Sequence, residues 1–334
     1  MIKHLVRIVM TCILIGWLIT QVDFSSVGAI LARSHVGWLV AGGLINLLAV
    51  FCAAWRWQIL LRGLNVMVNF FRLLRIVLVG AFFSMFLPSS VGGDLMKMVL
   101  VSPELKQREA AVSSVLMDRV VGMAVTLLVG LLAVLLIPSV WGNSIVLSAL
   151  GVVSLAFCFG IVTLFSHTLI TLISKLIPGA IWQRIGDMVM RVHRSLMALR
   201  GQPDILLAAA AISLLRQIVI CLSVYCAGQA FGIEAGLVAY FAMIPISMAI
   251  TVLPIAINGL GLQDNALILL LSTVGVTAAQ ALSLSLFLHI LRNGVGLLGG
   301  LIFALIRHRL PAPEPTDSVE NMPNERDQLQ PVRQ

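Results

Sequence analysis

Asp118, Arg119, Arg216 and Arg292 stand inside long apolar segments, where hydrocarbon would otherwise surround them. Arg216 and Arg292 lie roughly 18 Å into their helices at about 1.5 Å of rise per residue. An ionisable side chain at a helix centre costs about 2.5 to 3.5 kcal/mol even on the lenient insertion scale. Four of them need a purpose. A guanidinium offers a planar fork of donors that matches phosphate oxygens, so one purpose is a buried cationic site for a phosphate group. The other is ion pairing within the protein, with Asp94, Asp118 and Asp264 as partners. Asp118 and Arg119 are neighbours, about 100° apart on a helix, so they do not face one another.

Two interruptions of apolar sequence stand beside these charges. Leu87 to Asp94 reads LPSSVGGD and breaks the segment Ile76 to Leu100; Leu253 to Asp264 reads LPIAINGLGLQD. Each begins Leu-Pro, runs into glycines and ends in Asp. Proline removes a donor and clashes with the preceding helical turn, and glycine lets backbones approach closely. Pro88, Gly92 and Gly93, and in the second stretch Pro254, Gly259 and Gly261, are the candidate hairpin or gate residues. Asp94 and Asp264 are candidates for substrate contact or for capping the returning half-helices. The prolines are framed by arginines at nearly equal distances, Arg56 and Arg119 around Pro88, Arg216 and Arg292 around Pro254. A matched pair of Gly/Pro-interrupted segments, one in each half of a chain, points to a transporter's binding site. Two ordinary interhelical turns are the plainer alternative.

Other chemistries are poorly represented. There is no HExxH, GxSxG or P-loop pattern, and Ser89 and Ser90 have no nearby His or Lys base. The five cysteines fall in apolar segments without metal-ligand spacing and read as small core residues. His289, one turn before Arg292, reads as structural, a proton relay being the alternative. The expectation is therefore no catalytic residue, no metal, no cofactor and no enzymatic activity.

The elements that must hold these charges follow from composition. A chain of 334 residues that is 60% hydrophobic and 11% charged is a polytopic membrane protein, not a soluble globule. Its net charge of +8 lies in loops and juxtamembrane segments, as the positive-inside rule expects, and does not indicate nucleic acid. Leu5 to Val22 is an uncleaved first span with its N-terminus in the cytoplasm. Asp23 to His35 is a short outer loop, and Val36 to Leu61 returns inward. If Ile76 to Leu100 crossed once, Lys97, Lys106 and Arg108 would lie outside. A re-entrant hairpin keeps them inside with Arg72 and Arg75. Ala110 to Ile137 runs outward, Pro138 to Asn143 is a tight outer turn, and Ser144 to Phe165 returns.

Ser166 to Pro203 is the long inner connection. From Ile181 to Arg200 its apolar residues form a one-sided helical stripe, with Arg184, Arg191, Arg194 and Arg200 on or beside the other face. This reads as an in-plane helix on anionic lipid, or as a linker helix packed on the protein's own inner surface. Asp204 to Ala230 runs outward. Leu237 to Thr273 contains no basic residue and turns back at Pro254 to Gly261 as a second hairpin, entered from outside. Ala278 to Ile306 is the last span, with Gly296 and Gly300 spaced for close helix packing. The polar tail, 307–334, reads as disordered. The expected fold is all-α, with six full spans and two re-entrant hairpins in a single membrane domain, 1–306. Its halves, 5–138 and 144–306, form an inverted-topology repeat.

The stretches LPSSVGGDLMKMVL, VSSVLMDRVVGM, LPIAINGLGLQD and HILRNGVGLLGG resemble the lysylphosphatidylglycerol synthase transmembrane-region family, a flippase-like membrane domain. The likeness runs from about Leu5 to Ile306. In that family the second hairpin usually ends in Glu, where this chain has Asp264. The resemblance implies a domain that, in full-length relatives, flips aminoacylated phosphatidylglycerol made by a soluble C-terminal transferase domain. No stretch of this sequence resembles that soluble domain, so the expectation is that synthase activity is not inherited. Stand-alone relatives are associated with moving polyprenyl-linked sugars, hopanoids or other lipids. The combined expectation is a bacterial inner-membrane, multi-pass protein with both termini cytoplasmic. It would move or bind an anionic phospholipid or polyprenyl-phosphate headgroup at a midplane site built from Arg119, Arg216, Arg292, Asp118, Asp94 and Asp264. The alternative is a non-transporting subunit that presents a lipid-linked substrate to a separate glycosyl- or aminoacyl-transferase partner.

Overall fold

The computed structural model describes residues 16–20, 22–86, 92–105, 108–141, 144–166, 190, 193–194, 196–250 and 260–307. The described elements are helical: α1 (Phe24–Ala32), α2 (Val36–Gly63), α3 (Phe70–Phe86), α4 (Gly92–Val101), α5 (Arg108–Val134), α6 (Pro138–Trp141), α7 (Ser144–Phe165), α8 (Pro203–Ala230), α9 (Leu237–Ile250), α10 (Leu262–Ser272) and α11 (Ala278–Arg307). Among the described residues, four helices are long and apolar enough to cross a membrane, α2, α5, α8 and α11. The protein is thus an all-helical, polytopic membrane protein. Most of the expected first span lies outside the described residues.

Local signals set the helix ends. α2 stops where Asn65 takes a left-handed φ of 57° and the amides of Asn65 and Val66 return to the carbonyls of Arg62 and Leu61. α8 starts with Pro203 and Asp204 in its first turn, where a missing N–H and a negative charge are both tolerated. Two short helices occupy stretches expected to be loop or turn. Pro138–Trp141 is one. The other is α1, begun by Asp23, whose carboxylate accepts the Ser25 amide at 3.0 Å and the Ser26 hydroxyl at 2.6 Å. The hydroxyls of Ser26 and Ser25, with the Ser25 amide, hold that carboxyl below its usual range.

Long helices show apolar side chains outward, as lipid contact requires: Val40, Leu44, Leu48, Phe51 and Trp55 form an exposed stripe on α2. Inside, α2 and α8 make the most extensive helix pair. Their approach is close enough for the Ser223 hydroxyl to donate to the Gly42 carbonyl at 2.7 Å. One apolar core, containing Val224, Tyr240, Ile244, Leu267, Leu271 and Leu284, joins α8 to α11. A second joins Trp57, Leu61, Leu73, Val101 and Val115 of α2 to α5.

α3 and α4 fold back on each other. Arg72 at the start of α3 bridges Glu104, just past α4, at 2.7 Å, while Gly80 and Ser84 meet Gly93 at the start of α4. α9 and α10 pack together likewise. Each first arm also lies on a long helix of the other half of the chain, α3 on α11 and α9 on α5. Both crossings use glycine: Gly130 of α5 faces Pro245 and Ile246, and Gly296, Gly299 and Gly300 of α11 face Met85, Leu78 and Phe82. Gly130 and Gly300 stand at the same offset downstream of Asp94 and Asp264. Apolar helices in lipid gain little from burying more apolar surface, so close backbone approach at small residues carries much of such packing. A Cβ at Gly299 would run into the Leu78 carbonyl, which is backbone and cannot rotate away. Gly299→Val is therefore expected to lower stability by about 1 to 3 kcal/mol. Thermal unfolding in detergent measures this, with Gly294→Val, at an open position, as the control.

Of the expected in-plane helix, residues 181–189, 191, 192 and 195 lie outside the described residues, Arg184 and Arg191 among them. Its described end rests on the protein. Leu196 and Leu199 are buried against Leu60, Met117 and Ala209, while Arg194 and Arg200 are exposed.

Candidate functional site

The buried charges fall into two clusters, one behind each hairpin. In the first, Arg56 of α2 donates from Nε to Asp118 Oδ1 of α5 at 2.6 Å, and from Nη1 to the Ser213 hydroxyl of α8 at 3.2 Å. Side-chain exposure is 8% for Arg56 and 11% for Asp118, so this pair is sealed from solvent. Gly122, one turn after Asp118, leaves the space that the guanidinium fills. Arg216 of α8 lies within electrostatic reach of both Arg56 and Asp118. Its Nε is buried and makes no hydrogen bond among the described residues.

Beside this pair stands a second carboxylate. Asp94, in the first turn of α4, is buried and pairs with Arg119 of α5 and, at 3.4 Å, with Lys97. Asp118 and Arg119 thus turn to different partners, as their angular separation requires. Among the described residues the group holds four cations, Arg56, Lys97, Arg119 and Arg216, and two carboxylates, Asp94 and Asp118. Arg119 keeps 38% of its side chain exposed, although it lies roughly 16 Å along α5.

In the second cluster, Asp264 sits in the first turn of α10. It accepts the Gly261 amide at 2.8 Å, with Gly261 at a φ of 73° that favours glycine. This is the capping role. The same carboxylate also accepts the Ser285 hydroxyl and meets His289 Nε2 of α11 at 2.8 Å. Arg292 does not pair with Asp264 directly. Its Nη2 donates to Gln263 Oε1 at 3.2 Å and to His289 Nδ1 at 2.6 Å. Arg292 and the following Asn293 are exposed, roughly 21 Å along a helix that starts at Ala278.

All six predicted substrate-binding residues are therefore found at the hairpins or on the helices behind them. Gly92, Gly93 and Gly261 lie at the starts of the returning arms. Pro88, Pro254 and Gly259 lie outside the described residues. The sequence alone does not single out Lys97, Ser213, Gln263 or Ser285 as site residues, and in it His289 reads as structural. One signal could have found His289. It stands 25 residues after Asp264, and Arg119 stands 25 residues after Asp94. In each half, the residue at that spacing meets the hairpin acid. Among the described residues no group of three or more His, Cys, Asp or Glu is placed to hold a metal ion.

A sequence model described as the lysylphosphatidylglycerol synthase TM region matches residues 4–300. No curated protein and no solved structure matches the chain.

Proposed function

The chain belongs to the lysylphosphatidylglycerol synthase transmembrane-region family, and we propose that this member moves an anionic lipid headgroup across the membrane past its two hairpins. The observation that carries the reading is the pair Arg119 and Arg292. Both lie mid-helix in spans, both remain partly exposed, and both are fastened beside the start of a returning hairpin arm. A guanidinium facing hydrocarbon at that depth is costly, whereas one lining a wet groove is not. A phosphate passing along the groove would be met by forked donors from each half, while its acyl tails stay in lipid.

The arm lengths support re-entrant hairpins. A span needs about 20 residues; α4, α9 and α10 have 10, 14 and 11, while α3, with 17, is the one arm near spanning length. The reciprocal packing of α3 on α11 and α9 on α5 supports an inverted repeat, whose six spans would be the four long apolar helices, α7 and the expected first span. The headgroup would be that of a phospholipid or a polyprenyl-phosphate carrier, in a bacterial inner membrane with both chain termini cytoplasmic.

Purified protein in liposomes of phosphatidylcholine with fluorescent phosphatidylglycerol or polyprenyl phosphate tests the reading. Dithionite quenching should reach the inner-leaflet label of the lipid that is moved. Lipid that binds without any gain in quenching overturns transport and leaves a subunit that presents its lipid to a transferase.

A further inference from the structure

One face of α8 is closed by Ala209, Ser213, Ile220, Ser223 and Ala227, each at most 4% exposed. Arg216 lies on that same face, since these residues precede and follow it at the three-, four- and seven-residue spacings of a helical stripe. The lipid-facing side is opposite, where Leu207 and Leu214 are exposed. Yet Arg216 stays partly exposed, with its Nε sealed. Exposure on an inward face means that the end of the guanidinium meets open space between helices, not acyl chains.

Its charge has no dedicated partner. Among the described residues no hydrogen bond or ion pair reaches Arg216. Asp118 lies within electrostatic reach but gives Oδ1 to Arg56 at 2.6 Å. Asp94 is engaged by Arg119 and Lys97. The stretches 87–91 and 251–259, which join the hairpin arms, contain no Asp or Glu. A guanidinium does not shed its proton, so the charge is permanent. Arg56, Arg216 and Asp118 thus set two positive charges against one negative charge among the described residues. A buried charge is tolerated when it is paired.

We propose that the open end of Arg216 is a binding site for one phosphate monoanion, placed mid-span where α2, α5 and α8 meet. The proposal rests on the lipid reading above for the source of the phosphate, and on geometry alone for the site. The neighbouring groups form a fixed wall. Arg56 is held by Asp118 and by the Ser213 hydroxyl, and that hydroxyl donates to the Ala209 carbonyl at 2.8 Å. Gly122 leaves the space in which Arg56 is seated. Arg216 is the guanidinium of this trio left to take a ligand, and its paired Nη donors match two phosphate oxygens. A phosphodiester brings one negative charge, which balances the one positive charge in excess.

The test reads binding without transport. Thermal unfolding in detergent, in a phosphate- and chloride-free gluconate buffer, is followed as dioctanoylphosphatidylglycerol, dioctanoylglycerol or inorganic phosphate is added. A ligand that binds the folded protein raises the midpoint with concentration. Dioctanoylphosphatidylglycerol should raise it in the wild type, and dioctanoylglycerol, which lacks the phosphate, should not. Arg216→Gln should need about tenfold more of the phospholipid or worse for the same shift, the worth of a charge-assisted hydrogen bond. Arg216→Lys should keep part of the response. Without ligand, Arg216→Gln should unfold no earlier than the wild type, because removing a charge without a partner strands nothing. A wild-type response to the phospholipid in Arg216→Gln overturns the site. So does an unstable or unfolded Arg216→Gln, which makes Arg216 a structural residue. Inorganic phosphate acting as strongly as the phospholipid overturns the lipid as the source of the anion. Loss of the response in Arg216→Gln, with no lipid transfer by the wild type in liposomes, sinks the transport reading and leaves the site standing. Transfer with an unaltered response in Arg216→Gln does the reverse.

Discussion

Asp118→Ala should be the most damaging of the single substitutions considered, lowering stability by about 3 to 5 kcal/mol. The carboxylate is sealed between α2, α5 and α8, and its nearest partner, Arg56, is sealed with it. Removing Asp118 leaves Arg56 uncompensated beside Arg216, two like charges in the same apolar surroundings. Arg56→Ala should cost a similar amount for the mirrored reason, an orphaned carboxylate. The double variant Arg56→Met/Asp118→Leu removes both charges at roughly conserved volume and should recover much of the loss. The pair's own net worth is small, because desolvation of two ions offsets their attraction. Chemical denaturation in detergent of the two single variants and the double variant measures this. A single Asp118→Ala with wild-type stability would mean that Arg216 and Arg56 have another counter-charge.

That pair shows what could be read from the sequence and what could not. Span positions were legible because apolar windows and their polar flanks are local features; α7, expected at Ser144 to Phe165, has those bounds, and α2, α8 and α11 differ from expectation by two residues or fewer at each end. The hairpin acids were legible because proline, glycine and Asp inside apolar sequence have few uses. Partnership was not. Which way a helix turns its faces depends on its neighbours, and adjacent Asp118 and Arg119 end on α2 and α4 respectively. Arg292 could be expected to meet Asp264, yet His289, one turn nearer, reaches it first. Framing the prolines with arginines aligned Arg119 with Arg292. The acid-to-latch spacing aligns Arg119 with His289 instead, and on that alignment Arg292 corresponds to Gly122, the space that Arg56 fills.

Arg119→Ala should reduce lipid transfer in liposomes by about ten- to a hundredfold, the worth of a charge-assisted hydrogen bond to phosphate. Arg119→Lys should restore part of it, since the charge remains while the planar two-pronged donor set is lost. Stability should fall by about 1 kcal/mol or less, because more than a third of the side chain is exposed and solvent screens its pairing with Asp94. A fall in transfer then cannot be ascribed to unfolding, but it could still reflect a lost latch. The double variant Asp94→Asn/Arg119→Gln separates the two roles. It is designed to keep a hydrogen bond between α4 and α5 through two amides while removing the guanidinium. If Arg119 only fastens the hairpin, this variant transfers lipid at nearly the wild-type rate. If the headgroup meets Arg119, it is stable and inactive, and Arg119→Lys outperforms it. The second outcome is the expected one: Lys97 also approaches Asp94, so the hairpin keeps a cation beside its acid when Arg119 is lost, whereas Arg119 is the member of that trio with the largest exposed fraction.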